Sequence, residues 1–323
     1  MRERLAISWG DPAGIGPEVV LKALAEWEGE AVVLGDAARL REAAQRLGLP
    51  PLRAEVQEPE ACRVPAEVLF EGRASAAAGR SAAAAVRAGA DLVARGEASA
   101  LVTAPLNKEA LGLAGEPYPG HTELLAAHFA APRVRMMLQG GALRVVLATT
   151  HLALRAVADA LTIEGVAETL EEASASLRRF GVAARPSLAL AALNPHAGEA
   201  GRFGDEEERL LRPALELARA RGVEVTGPWP ADTLFAKAAR PGSGYDAVIA
   251  LYHDQGLIPV KLASFGQATN VTLGLPIVRT SPDHGTAFDI VGRGVAEASS
   301  FREALRVARE LAQTARQAPF AAD

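Results

Sequence analysis

The sequence predicts an α/β protein with a mostly parallel sheet, and three observations support this. Short apolar runs of strand length alternate with helical patterns along the whole chain. Three of those runs end in a histidine, where buried strands usually end in plain turn residues. No internal repeat, low-complexity linker or Gly/Ser hinge interrupts the alternation, so two domains woven together by repeated chain crossings are expected.

The elements follow in order. "RLAISW" reads as the first strand, followed by the loop "GDPAGIG" and a helix from about Pro17, where proline at the start and Glu18 in the first turn suit an N-terminus. "EAVVLG" is the second strand, and "DAARLREAAQRLG" a helix that Gly48 terminates. The Ala-rich "SAAAAVRAGADLVARG" is a long helix, "ALVTAP" the strand after it, and "HTELLAAHF" a helix running toward Pro132. "RMMLQ" and "LRVVLATT" form an antiparallel pair around Gly140 and Gly141. Next come the helix "TIEGVAETLEEASASLRRFG", the strand "SLALAAL", the helix "DEEERLLRPALELARARG" and the strand "YDAVIALY". "FREALRVARELAQTARQ" closes the chain as an amphipathic helix.

Composition narrows the function. With 49% hydrophobic and 23% charged residues the 323-residue chain has the make-up of a soluble globular protein. A net charge of −5 offers no electrostatic footprint for nucleic acid or an anionic membrane. Cys62 is the single cysteine, which excludes a disulfide framework and suits a reducing cytosol. "MRERLAISWGDP" reaches a turn after one short strand, unlike a signal peptide, and no apolar run approaches a membrane span of about 18 residues, so a cytoplasmic location is expected. Only four lysines accompany thirty arginines, and asparagine occurs three times, at 107, 194 and 270. Against that bias Asn194, Lys261 and Asn270 draw attention by lying near the strand-end histidines.

Those histidines are His151 after "VVLATT", His196 after "LALAALNP" and His253 after "AVIALY". Ligands of open α/β sheets bind beyond the carboxyl ends of the parallel strands, so three such residues are placed to converge. A single one is ordinarily a hydrogen-bonding cap. Three, two of them beside Asn-Pro or Asp254, point to a catalytic divalent-metal site, with Asp232 or Asp254 as a further ligand or an orienter. "GHTE" puts His121 and Thr122 at a helix start, where free N–H groups favour an anion. Lys261, Asn270 and Arg279 follow within nineteen residues, so a phosphorylated or carboxylated small molecule is the expected ligand. His128 lies inside a helix on no motif and reads as structural. The glycines of "GDPAGIGPE" do not make the dinucleotide fingerprint, and "SPDHGTAFDIVGRG" is rich enough in turn formers to wrap a ligand.

Taken together, "GDPAGIGPE", "PLNKEAL", "GHTE", "TTHLALR", "LNPHAGE", "GRFGDEE", "PADTLF", "YHDQGLIPVK" and "LGLPIVRTSPDHGTAFDI" resemble the signature segments of the 4-hydroxythreonine-4-phosphate dehydrogenase family of vitamin B6 biosynthesis. The match runs in order from Gly10 to Gly294. It implies an isocitrate/isopropylmalate dehydrogenase-like fold of two interwoven α/β/α domains with a cleft. Residues 1–120 with 280–323 would form the nucleotide side, and 121–279 the metal, substrate and dimerisation domain. The resemblance assigns His151, His196 and His253 to a divalent metal, in a homodimer where one histidine crosses from the partner. It assigns His121, Thr122, Lys261, Asn270 and Arg279 to the substrate, and His284, Gly285 and Asp289 to NAD, with NADP possible.

The implied chemistry is oxidation of 4-phosphooxy-L-threonine to a β-keto acid that decarboxylates to 3-amino-2-oxopropyl phosphate. The metal would hold the developing alkoxide, and Lys261 or Asp232 would move protons. A three-histidine site favours zinc or cobalt, with magnesium or manganese accepted when substrate oxygens complete the shell. Two alternatives stand beside this reading. One is a dehydrogenase of threonate or erythronate 4-phosphate. The other is a three-histidine zinc hydrolase, which would leave "DHGTAFDIVG" without a task.

Overall fold

The first apolar run becomes a strand with all four residues buried, β1 (Leu5–Ser8). The chain continues through α1 (Gly16–Ala25), β2 (Ala31–Leu34), α2 (Ala37–Arg46), β3 (Glu55–Gln57), α3 (Ala76–Ala94), β4 (Leu101–Thr103), α4 (Lys108–Leu113) and α5 (His121–His128). Then come β5 (Arg135–Gly140), β6 (Leu143–Leu147), the short α6 (Val157–Ala160), α7 (Ile163–Arg179), β7 (Leu188–Ala191), α8 (Arg212–Ala220) and β8 (Val225–Trp229). The last elements are α9 (Ala231–Ala238), β9 (Ala247–Ala250), α10 (His253–Ser264), β10 (Thr269–Leu273), β11 (Arg279–Pro282) and α11 (Ser299–Gln317). This computed structural model describes residues 4–265 and 267–318.

The chain divides into two units, residues 4–132 with 275–312, and residues 133–274 with 313–318. The switches fall at 132 and 274 rather than at the expected 120 and 280. The reason lies in α5: His128 Nε2 and Asp91 Oδ1 of α3 share a 2.8 Å hydrogen bond, which keeps α5 with the first unit. Near the end of α11, Thr314 donates to the Phe180 carbonyl at 2.7 Å, which joins that turn to the second unit. Residues 319–323 of the expected first domain lie outside the described residues.

In the first unit the strands run β3-β2-β1-β4-β11 and are parallel throughout, with Leu5 opposite Ala31, Ile7 opposite Val102 and Arg279 opposite Leu101. Helix α3 begins five residues before the expected stretch because Ser75 caps it, accepting the Ala78 N–H at 3.3 Å. It lies so close to α4 that a Cβ on Gly79 would fall 1.9 Å from the Ala110 carbonyl oxygen, so only glycine fits there.

The second unit orders its strands β10-β5-β6-β9-β7-β8. The expected β5–β6 hairpin is present, with Met137 opposite Val146, and β10 extends it antiparallel. Beyond the hairpin the neighbours β6, β9, β7 and β8 are parallel. Leu138, Val145, Leu147, Val248, Leu257 and Val260 are among the side chains that fill its core. The helix expected over residues 205–222 opens instead with a π-helical turn, Glu207–Leu211, before α8. No helix of the described residues is long and apolar enough to cross a membrane.

Candidate functional site

Parallel pairing explains how the strand-end histidines are delivered. Leu147 of β6 lies opposite Ala250 of β9, and the ladder continues past both strands. The Ala148 N–H donates to the Ala250 carbonyl at 2.8 Å and the Thr149 N–H to the Leu251 carbonyl at 3.2 Å. His151 and His253 therefore leave the sheet at neighbouring points, with ring centroids 5.6 Å apart and planes tilted by 41°. Strand β7 lies on the other side of β9, with Leu190 opposite Ile249. Gln255 ties these two exits together, its Oε1 accepting the Leu251 N–H and its Nε2 donating to the Ala192 carbonyl, both at 2.7 Å.

The His151–His253 pair fits a shared divalent ion. Zn–N bonds of about 2.0–2.1 Å at a tetrahedral angle put two imidazole centroids roughly 5 Å apart, close to the separation observed. Asp254 Oδ1 lies 2.7 Å from His253 Nδ1, an arrangement that fixes the ring and would leave Nε2 to a metal ion. His196 stands apart, its ring 6.3 Å from that of Phe203. Among the described residues no group of three or more His, Cys, Asp or Glu side chains is arranged to hold a metal, so the three histidines do not converge within one copy of the described chain.

The loop carrying His196 is conformationally unusual. His196, Ala197, Gly198, Glu199, Ala200 and Gly201 all have φ between 42° and 87°. Left-handed backbone costs about 1–2 kcal/mol for each residue with a Cβ. Such strain persists where neighbouring structure over-determines it, commonly at functional sites.

A second cluster lies in the first unit. Arg279, 2% exposed at the start of β11, donates from Nε and Nη2 to Thr103 Oγ1 at 3.1 and 2.6 Å. Burial draws its pKa down to about 9, with Glu123 opposing, so the guanidinium stays charged at neutral pH. His121 opens α5 after a cap without a side-chain bond. Its ring keeps some exposure, yet Nε2 is buried and has no partner among the described residues. Burial first and the Arg279 charge second hold His121 well below the usual imidazole pKa, the Ala104 carbonyl opposing, so the ring is neutral. A buried cation beside an unpartnered ring nitrogen at a helix start suits an anionic group. Thr122 follows on the same turn, half-buried.

The remaining expected residues are scattered. Lys261 is exposed in the last turn of α10, and Asn270 is half-buried in β10. Asp232 is exposed at the start of α9, where its Oδ1 accepts the Thr233 N–H at 2.8 Å. In the first unit His284 Nδ1 lies 3.1 Å from the Gly285 carbonyl, and its Nε2 is buried without a partner among the described residues. Gly285 and Asp289 are exposed.

Sequence reasoning missed what braces this segment. The Ile15 N–H donates to the Thr286 carbonyl at 3.0 Å. Glu18 stands in the first turn of α1 as expected and is also fully buried: its Oε1 accepts the Ala296 N–H at 2.9 Å and the Lys22 ammonium at 2.8 Å. Lys22 also donates to the Gly294 and Ala296 carbonyls, both at 2.8 Å. In the same Gly-rich loop Asp11 is fully buried, and burial pushes its carboxyl up to about 6, with Glu71 adding and the N–H groups of Ala13 and Asn107 opposing. The spacing of Glu18 and Lys22, one helical turn apart, was the available signal.

Polar side chains at the carboxyl ends of parallel strands place the chain among ligand-binding α/β proteins. The comparisons specify which kind. The chain belongs to the family described as pyridoxal phosphate biosynthetic protein PdxA, whose model matches residues 27–308. It is 47% identical to the 4-hydroxythreonine-4-phosphate dehydrogenase of Chromobacterium violaceum, covering 96% of this chain and 97% of that one. It is 45% identical to the D-threonate 4-phosphate dehydrogenase of Salmonella typhimurium, covering 95% and 98%. The solved 4-hydroxythreonine-4-phosphate dehydrogenase of Klebsiella pneumoniae matches with a TM-score of 0.89 at 42% identity, covering 96% of this chain and 99% of that one.

Proposed function

We propose that this chain oxidises 4-phosphooxy-L-threonine with NAD, or NADP, giving a β-keto acid that loses CO2 to form 3-amino-2-oxopropyl phosphate in pyridoxine 5'-phosphate biosynthesis in the cytoplasm. The observation that carries the reading, within a family of dehydrogenases, is the His151–His253 pair at the exits of β6 and β9. A divalent ion held by these imidazoles would supply Lewis-acid stabilisation of the negative charge that develops on the substrate oxygen.

The chain's own residues do the rest. Asp254 orients the His253 ring. Arg279, His121 and Thr122 take the phosphate, the guanidinium as a fixed charge and His121 through its unpartnered Nε2. Lys261 and Asn270 orient the substrate, and Lys261 or Asp232 accepts the hydroxyl proton as hydride leaves the same carbon for the nicotinamide. His284, Gly285 and Asp289 line the nucleotide, on a segment braced by Glu18 and Lys22.

The working form is a homodimer with a shared site. His196 lies outside the pair, and the second unit exposes Leu154, Ile258, Leu262 and Phe265, with Phe265 93% exposed. A second copy would cover these side chains and supply the third imidazole. Zinc and cobalt suit that donor set best, and magnesium or manganese would need substrate oxygens.

The second reading, oxidation of threonate 4-phosphate, is favoured by the 45% identity to a relative named for that activity. The zinc hydrolase alternative falls away, because the family and the relatives reported above are dehydrogenases. The test is NADH formation by the metal-loaded protein with 4-phosphooxy-L-threonine and threonate 4-phosphate in parallel, each with and without chelator. Faster, chelator-sensitive turnover of the amino substrate is the expected result. Preference for threonate phosphate would replace the substrate and keep the site. No reduction of NAD or NADP with either would sink the assignment.

A further inference from the structure

The strained loop bearing His196 has an internal brace that none of the chemistry above uses. Glu207 is 1% exposed and is the first residue of the π-helical turn. A π turn inserts a residue into the helical ladder and re-aims the side chains around it. Here it accompanies a carboxylate directed at the chain leaving β7. Oε1 accepts the backbone N–H groups of Leu193 and Asn194 at 2.9 and 2.8 Å, and Oε2 accepts the Asn194 side-chain amide at 3.0 Å. The same amide donates to Glu206 at 2.7 Å.

The loop closes over this carboxylate. A Cβ on Gly198 would lie 2.8 Å from Glu207 Oε2 and 3.0 Å from the Gly204 carbonyl oxygen. Gly198 also has a φ of 78°, so both space and backbone conformation call for glycine there. Two residues after the last N–H that Glu207 holds, His196 enters the left-handed region at φ 53° and Ala197 follows at φ 53°. Neither residue prefers that conformation by itself. Glu207 anchors the two residues that lead into the turn and lies against Gly198 within it, which is what makes the arrangement stable.

We propose that Glu207 is a positioning residue for metal binding: by fixing the left-handed turn 196–201 it sets the direction in which His196 presents its imidazole. The inference rests on the metal reading of His196 given above. Among the described residues the Glu207 carboxylate bonds the Leu193 and Asn194 backbone and the Asn194 amide, so its effect on His196 runs through the loop.

The test titrates the metal-free full-length protein with Co2+ alone, following the visible cobalt bands, for the native chain, Glu207→Ala, Glu207→Gln and His196→Ala. Thermal midpoints of the metal-free forms are recorded beside them. Glu207→Ala should weaken Co2+ binding at least about tenfold, the scale of losing an outer partner of a metal ligand. Glu207→Gln keeps an oxygen for both backbone N–H groups and gives up only the bond to the Asn194 amide, which Glu206 continues to accept, so its affinity should stay within about threefold of native. If Glu207→Ala fails to fold, Glu207→Asp takes its place under the same criterion, its carboxylate one methylene too short to reach all three donors. A Glu207→Ala protein that loses thermal stability but binds Co2+ as tightly as native, while His196→Ala does not, would reduce Glu207 to a structural role and overturn the proposal alone. Native-like Co2+ binding by His196→Ala would remove the metal reading and this inference with it.

Discussion

The rings of His151 and His253 stand 5.6 Å apart because two parallel strands, β6 and β9, stay in register to their last pair, Leu147 opposite Ala250, and beyond it. In sequence the two residues are more than a hundred positions apart. The ladder that joins their strands converts this separation into side-by-side imidazoles on one sheet edge.

Removal of either ring should therefore abolish the pair. Co2+ titration of His253→Ala or His151→Ala should show a larger loss of affinity than Asp254→Ala. The Asp254 variant removes only the carboxylate on His253 Nδ1, and should cost about tenfold. NADH formation should fall in the same order, with near-native circular dichroism in all three. Equal losses for Asp254→Ala and His253→Ala would contradict the assignment of Asp254 as an orienter.

Arg279→Met should raise KM for the phosphorylated substrate by about 30-fold or more, the cost of truncating a buried charge partner of about 2 kcal/mol or more. KM for NAD should change little. Steady-state kinetics with each substrate varied in turn separates the two. A rise confined to the NAD term would move Arg279 away from the phosphate.

Asp11 predicts a pH-dependent stability. Its carboxyl is raised to about 6, so the fold favours the protonated form. Relative to Asp11→Asn, the stabilisation is complete below the ordinary carboxylate pKa near 4. It is lost as pH rises through about 6, a swing of about 3 kcal/mol. Denaturation midpoints of native and Asp11→Asn protein should accordingly diverge between about pH 4 and pH 7, the variant becoming relatively more stable toward pH 7. Parallel curves across that range would contradict the buried, protonated carboxyl.

Lys22→Met strands the buried Glu18 carboxylate and frees the Gly294 and Ala296 carbonyls. Breaking a buried pair from one side costs about 3–5 kcal/mol, and urea unfolding should show a loss near the lower figure because Lys22 is partly exposed. KM for NAD should rise as the 284–296 segment loosens. Unchanged stability would mean that Glu18 is satisfied without the ammonium.

Much of the fold was legible because local patterns carried it. Apolar runs such as "LAIS" and "AVIA" became fully buried strands, and the Gly140–Gly141 turn joined β5 to β6 as expected. Strands β3, β8, β10 and β11 and helices α4, α6, α9 and α10 were not legible in the sequence. Their patterns are mixed: α10 carries His253, Asp254 and Pro259 and exposes Ile258 and Leu262, so no clean apolar stripe announces it. Strand β11 contains Arg279, whose burial among its neighbours no periodicity predicts.

By itself the sequence determined the alternation of strands and helices and the kind of chemistry available, because periodicity and side-chain type are local properties. The histidines at strand exits, the helix start at "HTE" and the turn-rich segment near residue 284 are of this kind. Tertiary structure alone decided which groups meet. It paired His151 with His253 and left His196 outside that pair. It buried Glu18 against Lys22 and Glu207 against the backbone of Leu193 and Asn194. Those relationships depend on strand register and on which carboxylates lose contact with water, and both are fixed only when distant segments pack together.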